Sequence, residues 1–450
     1  MTTRTLLLGL LICTSFANAR AGEPPKVMAA SSDTFLSSLG VCTHVDQGYD
    51  PTSYAEPLRY LGIRAIRDGP HNLPGLLMLH QQSGILVDLI GWDIADIMVA
   101  ARTLARSDAL LAIEGPNEPN NFPIDYKGRQ GGGHSANWLP DWVPSRLHAW
   151  LPSPVTWVPI AEFQRDLYSA IKNDEELSRY PVFSVSEGGA ETDNVGLQFL
   201  TIPAGAGTLL PAGTRFADFA NVHNYASGIR IGYVDNQAWQ AADPVLDTHW
   251  DGLLGEYGRT WFRHFEGYPT TQLEALPRVT TETGWEARSL QDERTQGIVL
   301  VNTYLAQFKR GWRYTFIYEV GEGEGGGGNY GLFHSDWSPK LAATYVHNLT
   351  SILADHAAAA APSAELSYAI EKAPDTIHDL LLRKSNGTFE LVIWGEQVAG
   401  SNSIKVSLDR PRRSVNVYDI TVGTDPIQTL GNVADIPLTV GDHALILEID

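Results

Sequence analysis

The stretch "ALLAIEGPNEPN" at residues 109–120 joins an apolar run to a cluster of proline, asparagine and glutamate residues. Residues 109–113 are all apolar, which predicts a strand buried on both faces. Asn117 and Glu118 follow at the point where that strand would end. A cluster of this kind is commonly a polar turn, so its interpretation depends on the rest of the chain.

Short apolar runs of the same kind recur between residues 38 and 320, and segments of helical periodicity separate them. Buried strands that alternate with helices form parallel βαβ units. Eight such units favour a closed (β/α)8 TIM barrel over an open doubly wound sheet, and no dinucleotide-binding fingerprint follows the first run. The eight runs lie at residues 38–45, 62–68, 84–91, 109–114, 181–186, 219–225, 277–283 and 313–320.

The pattern changes near residue 363, where apolar and polar residues begin to alternate with a period of two. Short alternating runs separated by turn residues predict a small antiparallel β-sandwich. We therefore expect a catalytic barrel at 30–360 and a β-sandwich domain at 363–450. Residues 1–19 are expected to form a signal peptide.

The N-terminal segment has the pattern of a secretory signal. Arg4 supplies the positive charge, residues 6–12 the apolar stretch, and Ala17-Asn18-Ala19 a small-residue cleavage site. The apolar stretch is too short to span a bilayer. We expect cleavage after Ala19 and a soluble product that is secreted or periplasmic. Cys42 then remains as a single cysteine, so we expect a buried thiol and no intramolecular disulfide.

Composition excludes several classes of partner. The net charge of −20 disfavours nucleic acid and anionic membrane surfaces, because both would be repelled at long range. No histidine lies in an HExxH or similar spacing, so we expect neither a metal nor another cofactor. The acidic run "GEGEGG" at 321–326 would repel a pyrophosphate and follows the eighth strand, so we interpret it as a rim loop. We expect a monomer.

Polar and aromatic residues concentrate where the predicted strands end. The carboxyl ends of barrel strands form the binding face of this fold, so these residues are candidates for one site. They are His44, Arg67, Asn117, Glu118, His223, Tyr225, Glu282, Trp285 and Tyr318.

Glu118 and Glu282 follow the fourth and seventh strands, so barrel closure would bring the two carboxylates together. Hydrolysis of an acetal needs such a pair, because one acid protonates the leaving oxygen and the other carboxylate attacks the anomeric carbon. The pair therefore predicts glycosidic bond cleavage.

Three motifs resemble those of the clan A glycoside hydrolases: "GPNEPN" at 115–120, "HNY" at 223–225 and "TETGW" at 281–285. Family 39 is similar in domain layout, with relatives in families 5, 30 and 51. The resemblance implies a retaining β-glycosidase in which Glu118 is the acid/base and Glu282 the nucleophile. It also implies that Asn117 donates to the sugar 2-hydroxyl and that Tyr225 holds the nucleophile.

Several interpretations stay open from the sequence. A non-catalytic carbohydrate-binding barrel is the alternative function. His44 could be a ligand-binding residue at the rim or a packed histidine. Glu319 could bind sugar hydroxyls or pair with Arg313. Glu114 fits a hydrogen-bonded structural acid. The eighth strand lacks the sugar-stacking tryptophan of many relatives, and Tyr318 or Trp337 could replace it. The loops at 122–157 and 226–256 are predicted to wall the active site.

Overall fold

The computed structural model describes most of the chain. The described residues are 24–133, 156–187, 194–227, 237–238, 253, 265, 268–326, 328–355, 363–396 and 400–450. The predicted signal peptide at 1–19 and most of the two predicted wall loops lie outside them.

Seven parallel strands form one sheet in the order β6-β5-β4-β3-β13-β12-β9. β3 and β13 pair with each other, so the first and last strands of the barrel are neighbours. The strands of this sheet are β3 (Leu39–Cys42), β4 (Ala65–Asp68), β5 (Leu86–Leu89), β6 (Leu110–Ile113), β9 (Ala220–His223), β12 (Arg278–Thr283) and β13 (Trp312–Ile317).

The gap between β6 and β9 is closed by the fifth predicted strand, which is reduced to two residues. Val182 pairs with Ile113, and Phe183 pairs with Phe219, both in parallel. Beyond them, side chains replace the backbone ladder: the Ser184 hydroxyl accepts a hydrogen bond from the backbone of Asn221 at 2.8 Å. All eight predicted strand positions are occupied, and the predicted (β/α)8 barrel is confirmed.

Helices cover the outside of the barrel. The helix over Ile94–Arg106 shows why they form: the Asp93 side chain accepts hydrogen bonds from the amides of Ala95 and Asp96, and an apolar face packs on the sheet. The described helices are α1 (Ser32–Leu36), α2 (Ala55–Leu61), α3 (Leu73–Ser83), α4 (Ile94–Arg106), α5 (Val158–Lys172), α6 (Thr270–Ala275), α7 (Leu290–Lys309) and α8 (Leu341–Leu353).

The C-terminal region is a sheet with its own hydrophobic core, and all of its described strand pairs are antiparallel except β2 with β15, which is parallel. Its strand order is β1-β14-β17-β19-β16-β15-β2, and β18 pairs along β17. The strands are β1 (Lys26–Met28), β2 (Ala30–Ser31), β14 (Glu365–Glu371), β15 (Ile377–Arg383), β16 (Phe389–Gly395), β17 (Asn402–Asp419), β18 (Gln428–Val440) and β19 (Leu445–Ile449). Two further short pairs lie in barrel loops: β7 (Ile124–Tyr126) with β8 (Arg129–Gly131), and β10 (Ala226–Ser227) with β11 (Gln237–Ala238).

Two strands of this C-terminal sheet come from the N-terminus, which the sequence did not predict. β1 pairs with β14 and β2 pairs with β15, so residues 26–31 belong to the sandwich and precede the first strand of the barrel. The residues of β1 and β2 carry no long apolar run, and their pairing depends on partners more than 330 positions away.

The sandwich packs on α7 and α8 of the barrel. Trp394, Ile420 and Ile446 belong to the same hydrophobic core as the barrel helices. The amide of Asn302 donates to the carbonyl of Gly395 at 3.2 Å, and that of Asn348 donates to the carbonyl of Ile420 at 2.8 Å. Among the helices that the structure describes, none has the length and apolarity needed to cross a membrane.

Candidate active site

The carboxyl ends of the barrel strands surround a cavity of about 500 Å³. The strands are parallel, so the residues that follow them share one mouth of the barrel. The described lining residues are Cys42, Thr43, His44, Asp46, Gln47, Arg67, Asp68, Gly69, Ile90, Trp92, Asn117, Glu118, Phe122, Tyr225, Glu282, Tyr318, Gly325 and Tyr330.

Glu118 and Glu282 face each other across this mouth. One carboxylate oxygen of each lies within 4.8 Å of the other, and a ring nitrogen of His223 lies within the same distance of both. Both acids are largely buried: their side chains are 12% and 11% exposed. The barrel therefore brings together the two carboxylates that the sequence singled out.

Glu282 stands at the end of β12 with both carboxylate oxygens engaged. Arg67 donates to Oε1 at 2.6 Å, and the Tyr225 hydroxyl donates to Oε2 at 2.8 Å. Burial and the nearby charges of Glu282 and Glu118 raise the pKa of Tyr225 well above its ordinary value. Tyr225 therefore remains a proton-bearing donor, and the free faces of the Glu282 oxygens point to the cavity.

Arg67 connects Glu282 to the Asn117 side of the site. Its guanidinium makes two hydrogen bonds of 2.9 Å to Glu114 and one of 2.8 Å to Oδ1 of Asn117. Because arginine only donates, the oxygen of the Asn117 amide must face Arg67. The amide NH2 of Asn117 is thus the end presented to a ligand.

Glu118 is held by two donors and by an unusual backbone conformation. His223 Nδ1 lies 2.7 Å from Oε1, and the Asn121 amide donates to Oε2 at 2.6 Å. The backbone of Glu118 has φ of +38°, a region that non-glycine residues rarely adopt. Strained backbone of this kind concentrates at functional sites, where the surrounding structure enforces it.

Solved structures share this architecture. The chain is similar to a family 39 glycoside hydrolase from Bacteroides cellulosilyticus WH2, with a TM-score of 0.55 and 16% identity over 94% of this chain and 82% of that one. It is also similar to a family 30 subfamily 8 xylanase from Clostridium acetobutylicum, with a TM-score of 0.52 and 11% identity over 95% and 97% of the two chains. A third similar structure is a family 51 α-L-arabinofuranosidase from Thermotoga petrophila RKU-1, with a TM-score of 0.52 and 9% identity over 95% of this chain and 98% of that one.

The chain has the barrel fold of the clan A glycoside hydrolases. The resemblance inferred from the three motifs is therefore confirmed for the fold. At identities of 9–16%, the similarity extends to the fold alone. No family model and no curated protein matches the sequence.

The protonation of this site is set by the contact between Glu118 and His223. Burial would lower the pKa of His223, but the negative charges of Glu282 and Glu118 outweigh burial and raise it. Burial would raise the pKa of Glu118, but the hydrogen bond and charge of His223, with Asn121, lower it. The two groups share a hydrogen bond of 2.7 Å and titrate as a pair, in which the raised pKa of His223 and the lowered pKa of Glu118 both draw the shared proton toward the imidazole.

Most candidates from the sequence lie at this mouth. Five of them line the cavity beside the two acids, and His223 lies directly behind those acids with no exposed surface. The five are His44, Arg67, Asn117, Tyr225 and Tyr318.

The position of Trp285 corrects the prediction that it belongs to the site. Its side chain belongs to the main hydrophobic core, it is 9% exposed, and it is absent from the described cavity lining. The reason is the path of the chain after Glu282: the Trp285 carbonyl accepts a hydrogen bond from Gln296 of α7 at 3.0 Å, which turns this segment toward the helix layer. Trp337 packs edge-on against Tyr54 at 5.2 Å and does not line the described cavity either.

Three aromatic residues at the mouth were missed: Trp92, Phe122 and Tyr330. Trp92 follows β5 and is 39% exposed, and Phe122 follows the Asn117–Glu118 turn and is 56% exposed. Exposed aromatic side chains beside a polar cavity suit the C–H faces of sugars. The signal was present in "LIGWD" at 89–93, because an aromatic residue directly after a predicted strand lies on the same rim as the catalytic acids.

Two groups of residues in the described part of the chain have the spacing of metal ligands. The first is Glu118, His223 and Glu282, whose oxygens already accept hydrogen bonds from Arg67 and Tyr225 among others. This group is a hydrogen-bonded proton network. The second is His44, Glu319 and Glu324, and Glu319 lies there fully buried rather than paired with Arg313, which covers the ring of Tyr314.

Proposed function

We propose that the protein is a retaining β-glycosidase that acts on a neutral or weakly charged oligo- or polysaccharide. The separation of Glu118 and Glu282 carries this proposal. Retaining glycosidases place the two carboxyl groups about 5–5.5 Å apart, whereas inverting enzymes need about 6.5–9.5 Å to admit a water molecule. The closest oxygens of the two acids lie within 4.8 Å of each other, which fits the shorter separation rather than the longer one.

Glu282 is the nucleophile in this proposal. Its hydrogen bonds from Arg67 and Tyr225 fix its orientation toward the anomeric carbon. Attack by a Glu282 oxygen forms a glycosyl ester and breaks the bond to the leaving oxygen, which carries away the bonding electron pair.

Glu118 is the acid/base. Its proton is drawn from His223 across the 2.7 Å contact and passes to the leaving oxygen. Once the ester has formed, the charge of Glu282 is gone and Glu118 remains as a base. Glu118 then accepts a proton from water as the water oxygen attacks the anomeric carbon. The ester bond to Glu282 breaks with its electron pair on the Glu282 carboxylate, and the proton returns to His223. Two displacements at one carbon retain the configuration.

The cavity supports a neutral sugar as the substrate. Among its described lining residues, Arg67 is the one arginine or lysine side chain, and Glu114 and Glu282 neutralise it. Asp46 and Asp68 add negative charge at the wall. An anionic sugar would therefore be repelled, whereas the Asn117 amide is free to donate to a 2-hydroxyl.

Export completes the proposal. The signal-like pattern before Arg20 supports a mature enzyme that is released to the periplasm or the medium. There it would meet polymeric carbohydrate. N-terminal sequencing of the exported protein tests the cleavage after Ala19.

Chemical rescue tests the catalytic assignment. Glu282→Ala should lose activity on every substrate and recover it in azide with an inverted glycosyl azide as the product. Glu118→Ala should keep the first step for aryl glycosides with good leaving groups, and azide should then give a product of retained configuration. Glu176→Ala, which removes an exposed acid paired with Arg106, is the control and should behave as wild type.

The outcomes separate the alternatives. Exchanged rescue patterns would swap the two roles, and full activity in both variants would place the site elsewhere. A screen of aryl β-glycosides and of plant and bacterial polysaccharides, read by mass spectrometry, identifies the sugar. Binding without product release across that screen would indicate a non-catalytic carbohydrate-binding barrel.

A further inference from the structure

A second group of ionisable residues lies beside the cavity and takes no part in the proposed chemistry. His44 follows β3, whereas Glu319 and Glu324 follow β13. All three are more than nine-tenths buried: their exposed fractions are 7%, 0% and 3%. Burial of two carboxylates and an imidazole carries a large desolvation cost unless each polar atom finds a partner.

The polar atoms that face each other in this group lack such partners. His44 Nδ1, both carboxylate oxygens of Glu319 and Oε2 of Glu324 receive no hydrogen bond. The nearby Tyr318 hydroxyl donates to the backbone carbonyl of Glu324 at 3.4 Å instead. Orphaned buried atoms of this number need a specific explanation.

The distances fit ligands around one cation rather than hydrogen bonds. His44 Nδ1 lies 3.6 Å from Glu319 Oε2 and 3.6 Å from Glu324 Oε2, and the three ligand atoms lie within 4.8 Å of one another. Zinc binds imidazole nitrogen and carboxylate oxygen at about 2.0–2.2 Å, so tetrahedral ligands stand about 3.3–3.6 Å apart. The two distances from His44 lie at the upper end of that range.

The neighbouring basic side chains do not supply the missing charge. Lys340 is buried close by, but it is paired with Glu322 at 2.9 Å. Arg67 is held by Glu114 and Glu282. Among the described residues, no arginine or lysine forms an ion pair with Glu319 or Glu324.

We propose that His44, Glu319 and Glu324 bind a divalent transition-metal cation, zinc in the first instance. One imidazole and two carboxylates form a mixed nitrogen and oxygen ligand set that suits zinc and, second, manganese. The cation would join the loop after β3 to the loop after β13. Since β3 and β13 are paired neighbours, the cation would crosslink the first and last strands of the barrel beside the proposed active site.

The glycine-rich run after β13 has a place in this site. Glu322 and Glu324 alternate with glycines, and the backbone turns so that Glu322 pairs with Lys340 while Glu324 faces inward. Gly325 has φ of +61°, and a Cβ at this position would collide with the Tyr318 hydroxyl and with His44. Glycine at this position thus allows Glu324 to approach His44.

Metal content is the decisive measurement. The tag-free full-length protein is stripped with EDTA, dialysed against zinc or manganese chloride, and analysed by elemental mass spectrometry and thermal unfolding. We expect one equivalent of zinc and a rise in Tm of about 3 °C at 100 times Kd. Glu319→Gln should bind zinc at least about 100-fold more weakly and lose the rise in Tm. Glu324→Gln provides the same test if the first variant does not fold.

The control is His71→Gln, which removes an exposed histidine that contacts Asp46 at 2.6 Å. Its zinc content and Tm response should equal those of wild type. Loss of zinc in this variant would show that the metal binds at His71 on the surface, which would overturn the proposal. Absence of bound metal in wild type, with Glu319→Gln more stable in EDTA, would show instead that the two acids share a proton.

This site is independent of the proposed glycosidase activity, because its readouts are metal content and stability. A metal-free wild type would leave the catalytic assignment intact. Conversely, a protein without hydrolytic activity could still bind the cation.

Discussion

At the scale of single residues, Arg67 determines the geometry of the site. It contacts Glu114, Asn117 and Glu282 at once, while it is itself only 4% exposed. Glu114 fixes the guanidinium plane through two hydrogen bonds, which a monodentate contact would not do. Glu114 is therefore a positioning residue that acts on the nucleophile through Arg67.

Glu114→Gln tests that role. The amide places an NH2 group against an arginine that only donates, so the bidentate contact is lost and Arg67 can shift. We expect kcat/KM to fall about 100-fold, mainly through kcat. The control is Glu390→Gln, which alters another fully buried acid, paired with Lys384 in the sandwich, and should leave kcat unchanged. An equal loss of kcat in both variants would point to a general loss of stability.

His223→Asn tests where the catalytic proton resides. In the wild type, the catalytic proton is held by His223, whose pKa is raised. Activity should therefore persist to higher pH than a lone carboxylic acid would allow. In the variant, Glu118 alone holds the proton, and carboxylic acids ordinarily titrate below imidazole. The basic limb of kcat/KM against pH should therefore move to lower pH, and kcat should fall about 10-fold or more.

The control for that profile is His80→Asn, on α3 outside the cavity, whose Nδ1 contacts the Ile85 carbonyl. Its two pH limbs should match those of wild type. If the basic limb of His223→Asn matched that of wild type, the catalytic proton would reside on Glu118 in the wild-type enzyme as well.

At the scale of elements, the barrel strands were predictable because each is an apolar run buried on both faces. The strand at 181–186 was predicted from the same signal, yet only Val182 and Phe183 pair. Its shortening depends on the side chains of Ser184 and Asp218, which take backbone hydrogen bonds of their neighbours. Such replacements leave no periodic trace in the sequence.

The catalytic pair could also be predicted from the sequence, because two glutamates directly after predicted barrel strands were enough to identify it. The ligand group of His44, Glu319 and Glu324 was not, because "GEGEGG" gives no sign that Glu324 turns inward while Glu322 turns outward. That choice is made by the partners of the loop, Lys340 and the paired strands β3 and β13.

Shortening the loop at 122–157 tests its predicted role as an active-site wall. Most of it lies outside the described residues, although Phe122 lines the cavity and Trp157 is buried in the main core. We expect deletion of 137–152, with both ends retained, to raise KM about 10-fold or more while Tm changes little. Parallel losses of affinity and Tm would make its tryptophans core residues.

At the scale of the whole molecule, the sandwich and the barrel share a hydrophobic core along α7 and α8. Trp394 of β16 is fully buried there, and the first strands of the chain are also part of the sandwich. Residues 26–31 and the segment after residue 363 thus both connect the barrel to the sandwich. We expect them to unfold in one cooperative transition.

Trp394→Ala tests this coupling. Removal of a buried tryptophan should cost about 3–5 kcal/mol of the free energy of unfolding. Denaturant unfolding followed by far-UV circular dichroism and by activity should shift together. Trp92→Ala is the control: it should change stability by about 0.5 kcal/mol or less and raise KM. Two separate transitions, with only one of them shifted, would show that the layers fold independently.

The covalent intermediate on Glu282 is the most direct test of the proposed function. Glu118→Ala, incubated with an activated aryl glycoside of the sugar found in the screen, should accumulate that intermediate. Trypsin cleaves after Arg278 and Arg288, so residues 279–288 form one peptide that contains Glu282 and Glu286. Tandem mass spectrometry should find one added glycosyl group on Glu282 and none on Glu286. An unmodified peptide, with a first product of inverted configuration from the wild-type enzyme, would contradict the double-displacement mechanism.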